Sequence, residues 1–169
     1  MIFNSIFLFV VMQRLIELLV AKRNEKQMRE RGAYEVGAQH YPWMILLHTS
    51  FLCGLFIEVE LGSTPNVALL AIFCCLQLAR IWCIRSLGSF WNTKILILPG
   101  AQLVAKGPYA YVRHPNYVIV CLEILVLPLM FGAYVTAILF TLLNAAMLTV
   151  RILVEERALR VVELDLKEG

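Results

Sequence analysis

No lysine or arginine occurs from Tyr41 to Ala79, and none from His114 to Val150. A helix crosses a bilayer with about 20 largely apolar residues at 1.5 Å rise each, so both gaps are long enough to be membrane spans. Composition agrees, with 60% hydrophobic residues, 16% charged residues and a mean hydropathy of +0.76. Soluble domains carry about 25% charged residues. The chain reads as a polytopic membrane protein, and 169 residues make it a single domain, 1–169.

Five passes are expected. The first, Ile2 to Val20, has no basic residue ahead of its apolar run and no small-residue cleavage site, so it reads as an anchor rather than a signal peptide. Lys22, Arg23, Lys26, Arg29 and Arg31 follow it, which puts that end in the cytoplasm and the N-terminus outside. The second pass runs from Pro42 to Val59 and ends at the turn Leu61-Gly62-Ser63-Thr64-Pro65; the third runs from Asn66 to Ile84. A cytoplasmic stretch, Arg85 to Asn116, carries Arg85, Lys94, Lys106 and Arg113. Within it Ile95 to Leu98 reads as a short strand closed by a Pro99-Gly100 turn.

The apolar region Tyr117 to Val150 is too long for one pass. Phe131-Gly132-Ala133 is the natural bend, with Pro128 kinking the chain before it, which gives two short antiparallel helices. Arg151, Arg157, Arg160 and Lys167 then return the tail to the cytoplasm. The expected fold is all-α and integral to the membrane, with five transmembrane helices, N-out and C-in. It places 13 of the 15 lysines and arginines on one side, leaving Arg14 and Arg80 inside spans. Orientation explains this basic excess, so it calls for no nucleic-acid partner. Cys53, Cys74, Cys75, Cys83 and Cys121 all lie in apolar runs, and no His or Cys cluster has metal-ligand spacing.

Ionisable residues within spans are costly and face a partner or a wet cavity. Arg14 and Glu17, three apart, are expected to neutralise each other, and His48 to make an interhelical hydrogen bond. Arg80, near the cytoplasmic end, is expected to snorkel. Glu123, two turns into the fourth helix, fits either a packing hydrogen bond or the wall of an active cavity. Arg151 and Glu155 lie four apart and, taken alone, read as a helical ion pair.

A polar, aromatic, turn-forming stretch precedes the last apolar region: Lys106-Gly107-Pro108-Tyr109-Ala110-Tyr111-Val112-Arg113-His114-Pro115-Asn116-Tyr117. Gly107-Pro108 breaks the chain, and Pro115 suits the first position of a new helix. The positive end of that helix, beside Arg113 and His114, suits a carboxylate or phosphate. The hairpin that follows brings Arg151, Glu155 and Glu156 back to the same membrane side.

Gly107-Pro108-Tyr109, Arg113-His114-Pro115-x-Tyr117 and the downstream Arg151, Glu155 and Glu156 resemble the isoprenylcysteine carboxyl methyltransferase family, in its short bacterial branch. They resemble membrane phospholipid methyltransferases more loosely. The resemblance covers about residues 88–160 and implies a cytoplasmic pocket for S-adenosylmethionine. By position, Ala101, Gln102, Leu103 and Val104 would wrap the cofactor, with Tyr109, His114, Pro115, Asn116, Tyr117 and Glu155 completing the site. Arg151 would contact the acceptor and act in catalysis, with Glu123 a further substrate contact, and Lys94 sits at the spacing of another cofactor contact. The family's usual histidine is Ala101 here, and its glycine two residues past the motif tyrosine is Ile119.

The implied reaction is methylation of a lipophilic acid drawn from the bilayer, either an isoprenylcysteine-like carboxylate or the acidic enol of an alkylpyrone-type lipid. A helix end with His114 suits the cofactor's carboxylate, Glu155 its ammonium, and Arg151 the acceptor anion. Two alternatives are an NADPH-dependent membrane sterol or lipid reductase, and a non-enzymatic transporter or assembly protein. The sequence has few extra basic residues for dinucleotide phosphates, and no internal repeat of the kind transporters carry.

Overall fold

The computed structural model describes residues 1–60 and 62–168, with side chains through 161. Five helices dominate it: α1 (Ile2–Glu30), α2 (Tyr41–Glu58), α3 (Val67–Leu87), α4 (Pro115–Met130) and α5 (Tyr134–Glu168). Four segments, Ile2–Glu30, Ala38–Glu58, Val67–Phe90 and Tyr134–Val161, are long and apolar enough to cross a membrane; Pro115–Met130 is shorter. A helix pairs its own backbone groups, as hydrocarbon demands. Leu19, Ile57, Val67 and Leu78 lie exposed on helix surfaces, which suits acyl chains and not water. This is the build of an all-α integral membrane protein.

The helices alternate in direction. At one end the Phe3 ring meets Phe131 edge-on at 5.0 Å and lies 6.4 Å from Phe56. The Asn66 N–H donates to Met130 O at 2.9 Å there, and Glu58 accepts from the Val135 and Thr136 N–H groups at 2.9 and 2.7 Å. Glu58 thus caps the start of α5 from the end of α2, matching a carboxylate to the positive helix end. The bend falls where expected, with Gly132 at φ +78°, a conformation that favours glycine. Pro128 lies inside α4, near its end.

The hairpin differs from expectation in length. α4 has 16 residues, but α5 has 35, because nothing in Arg151-Ile152-Leu153-Val154-Glu155-Glu156-Arg157-Ala158-Leu159-Arg160 breaks a helix. The apolar span continues into a charged helix. Leu61, in the turn expected after the second span, lies outside the described residues, as does the Lys167 side chain.

The opposite end carries the polar connections. β2 (Ile95–Ile97) forms as expected and pairs antiparallel with an unforeseen β1 (Tyr34–Val36), with Glu35 opposite Leu96. Asn24 donates to Gly88 O and Trp91 O at 3.1 and 2.7 Å, and Asn92 donates to Ala21 O at 3.0 Å, fastening α1 to the loop after α3.

Between the two ends lies a buried charge network. Arg14 donates to Glu17 at 2.8 Å and to Glu123 at 2.7 Å. Arg80 donates to both oxygens of Glu123, through Nε at 2.7 Å and through Nη2, and lies 3.3 Å from Glu17. Gln13 donates to the second oxygen of Glu17, and Gln77 shares Glu123 Oε1 with Arg80, each at 3.0 Å. Arg80 therefore does not snorkel: it is 2% exposed, because two carboxylates meet it inside the bundle. The Arg14–Glu17 pair forms as expected but is half of a neutral quartet. His48 bonds Met44 O of its own helix at 2.9 Å, not a neighbouring helix.

Candidate functional site

A cavity of about 570 Å³ opens at the polar end. That volume lies within the range of small-molecule sites. Ile95, Leu96, Ile97 and Leu98 form an apolar wall, and the coil Ala101, Gln102, Leu103 and Val104 runs along it. Tyr109, Arg113, His114, Asn116, Tyr117, Arg151 and Glu155 also line it. Pro115, expected as a cofactor contact, is buried at the first position of α4 and is not among the residues lining the cavity.

The route to Tyr109 depends on Gly107. Its φ is +55°, and a Cβ added there would sit 2.2 Å from Ser86 Oγ and 2.9 Å from Trp82 Nε1 of α3. Only a bare backbone lets the Gly107–Ala110 turn lie flat on α3. Gly107→Ala is therefore expected to cost about 1–3 kcal/mol of stability through strain and overpacking. Thermal unfolding in detergent measures this, and adding Ser86→Gly should recover part of the loss. An unchanged midpoint would mean the turn is not held in this way.

Tyr117 ties the two helices of the hairpin together. Its hydroxyl donates to Glu155 Oε2 at 2.5 Å and accepts from Arg151 Nε at 3.0 Å. Arg151 and Glu155 thus meet through Tyr117 rather than as the direct ion pair their spacing implies. The His114 ring stacks on Tyr117 at 5.3 Å, with its Nε2 3.6 Å from Glu156. Half-exposed Arg113 approaches the same carboxylate at 3.8 Å. The Tyr117 and Val118 N–H groups return to His114 O at 3.1 and 3.4 Å, so the start of α4 offers an anion less than the sequence implies.

Unpaired polar atoms gather here. Among the described residues, seven buried side-chain polar atoms lack a hydrogen-bond partner, and four of them belong to cavity-lining residues: Trp91 Nε1, Tyr109 Oη, His114 Nε2 and Asn116 Oδ1. Each such atom costs about 1–3 kcal/mol unless something binds it. Burial also holds the Tyr109 phenol well above its ordinary pKa, so it remains a protonated donor.

Two expected residues have other duties. Lys94 reaches Glu25 at 2.9 Å and Glu35 at 3.3 Å, and its Nζ sits 5.4 Å from the Tyr41 ring centre. The hydrogen bond it donates to Glu25 raises its pKa, so the charge on the cavity wall is already paired. Glu123 lies in the charge network and lines a separate, water-sized space beside His48 and Gln77. Glu123, expected as a substrate contact, is not among the residues lining the large cavity, and Arg14, Arg80 and Gln77 donate to both its oxygens. Sequence reasoning also missed Thr93 and Met44, which contact Arg151 from outside the recognised motifs.

A family profile described as isoprenylcysteine carboxyl methyltransferase (ICMT) family matches residues 69–161, just over half the chain. That segment runs from α3 through most of α5 and holds the main cavity residues. The uncharacterized protein YpbQ of Bacillus subtilis is 44% identical over 155 residues, covering 89% of this chain and 92% of its own. An uncharacterized protein of Haemophilus influenzae is 30% identical over 163 residues, covering 92% and 94%. No solved structure matches the chain significantly. By the profile match over more than half of its length, the chain belongs to the isoprenylcysteine carboxyl methyltransferase family of membrane methyltransferases.

Proposed function

We propose that the protein is an S-adenosylmethionine-dependent O-methyltransferase acting on the carboxylate or acidic enol of a lipophilic acceptor. One observation carries the reading: a carboxylate, Glu155, shares one cavity with unpaired buried polar atoms on Tyr109, His114 and Asn116. The donor's amino-acid end pairs an ammonium with a carboxylate, and this set offers an anion to the first and hydrogen-bonding groups to the second. Gln102, Leu103, Val104 and Trp91 supply apolar and amide wall for the adenosyl part. When bound, the donor supplies an electrophilic methyl on a sulfonium.

The protein's share is positioning and exclusion of water. Tyr117 fixes Glu155, and Arg151 holds the acceptor's oxyanion on the far side of Tyr117. An ionised carboxylate or enolate needs no strong general base, and none is required of His114. The apolar strand Ile95–Ile97 keeps the reacting centre dry. The reductase alternative finds less here, because Glu25 and Glu35 neutralise Lys94. The cavity lies at the end that carries the basic loops, which supports a cytoplasmic mouth. The relatives from Bacillus subtilis and Haemophilus influenzae support a bacterial cell membrane.

Purified protein incubated with methyl-labelled donor and a total lipid extract should move label into the lipid fraction. Mild alkali then separates the products: a carboxyl ester releases methanol, and an enol ether holds its label. Absence of both transfer and S-adenosylhomocysteine binding would end the proposal.

A further inference from the structure

Arg151 and Arg80 are both buried arginines, 6% and 2% exposed, yet they are partnered differently. Arg80 meets two carboxylates. Arg151 forms no ion pair among the described residues. Its Nε donates to Tyr117 Oη at 3.0 Å, its Nη2 to Thr93 O at 2.5 Å, and its Nη1 to the thioether of Met44 at 3.3 Å. A buried guanidinium without a counter-charge is expensive, and a thioether sulfur is the weakest acceptor of the three.

The two edges of the guanidinium face different surroundings. The Nε edge meets Tyr117 and, through it, Glu155 on the cavity side. Nη1 is covered from α2 by Met44, which is not among the residues lining the cavity. Met44 is unbranched and flexible, and its neighbours Trp43 and Ile45 are exposed on a spanning helix. Swinging Met44 aside would uncover a charge-assisted site beside lipid.

We propose that Met44 is the specificity-determining residue for the methyl acceptor, occupying on Arg151 the place its ionised head takes. The acceptor class is then an amphiphile with one oxyanion, arriving past the N-terminal turn of α2 with its tail in the bilayer. The inference rests on the methyltransferase reading above for the word acceptor, but the anion site stands on Arg151 and Met44 alone. α2 lies outside the segment matched to the family, so this determinant is separate from the motifs that define it.

Calorimetry on protein free of methyl donor, in lipid nanodiscs, tests the site with laurate as the anionic probe and dodecanol as its neutral match. Wild type should prefer laurate at least tenfold. Met44→Glu, which lays a carboxylate on Arg151, should weaken laurate at least tenfold and leave dodecanol unchanged. Met44→Ala, with the occupant removed, should tighten laurate about threefold or more, and this decides the matter should Met44→Glu fold poorly. Equal binding of the two probes by wild type, or laurate affinity unmoved by Met44→Ala, overturns the proposal. S-adenosylhomocysteine binding measured on the same wild-type sample separates the readings: its loss would sink the methyl-donor assignment and leave the laurate result standing.

Discussion

Glu155→Ala is expected to weaken S-adenosylhomocysteine binding by roughly 30- to 4,000-fold. Removing one partner of an enclosed, hydrogen-bonded charge pair costs about 2–5 kcal/mol, and each 1.4 kcal/mol is about a factor of ten. S-adenosylhomocysteine is the proper probe, because it keeps the ammonium and carboxylate and lacks only the methyl. The variant also strips Tyr117 Oη of its acceptor, so the loss contains a positioning part. Tyr117→Phe isolates that part: the carboxylate stays but its hydrogen bond goes, and a loss of about 10- to 100-fold follows from the usual worth of a bond to a charged group. Calorimetry in detergent measures both variants, with unchanged thermal unfolding as the check on folding. Wild-type affinity in Glu155→Ala would remove the ammonium site from this cavity.

The spans were legible because charge is excluded from lipid, and exclusion over 20 residues is visible in one sequence. Phe131-Gly132-Ala133 was legible for a related reason: an apolar run well over one crossing long calls for a turn, and glycine marks where. That the hairpin returns Arg151 and Glu155 to the level of Tyr117 follows from the turn, and the structure has them in contact. β1 was not legible, because three residues carry no period and its partner lies about sixty residues away. Arg80 was misread for the same cause. The spacing of Arg14 and Glu17 announces a pair within one helix, whereas nothing local tells Arg80 that Glu17 and Glu123 will surround it. Met44 carried no signal either, since a methionine in an apolar helix resembles every other lipid-facing side chain.

Glu123→Leu is expected to cost about 3–5 kcal/mol of stability, because it leaves Arg14 and Arg80 sharing Glu17 alone in the interior of the bundle. For a chain of this size each kcal/mol is worth about 2–4 °C, so the unfolding midpoint in detergent should fall by roughly 6–20 °C. Cost alone would not distinguish a broken network from a misfit leucine. The pair Arg80→Leu and Glu123→Leu does, because together they remove one charge of each sign and leave Arg14 and Glu17 balanced on α1 at 2.8 Å. The double variant should therefore cost less than the sum of the two single costs, by a coupling energy of about 1–3 kcal/mol, in the range measured for groups sharing one network. Simple addition of the two single costs would mean that Arg80 and Glu123 act independently. The quartet then could not be what holds α1, α3 and α4 together.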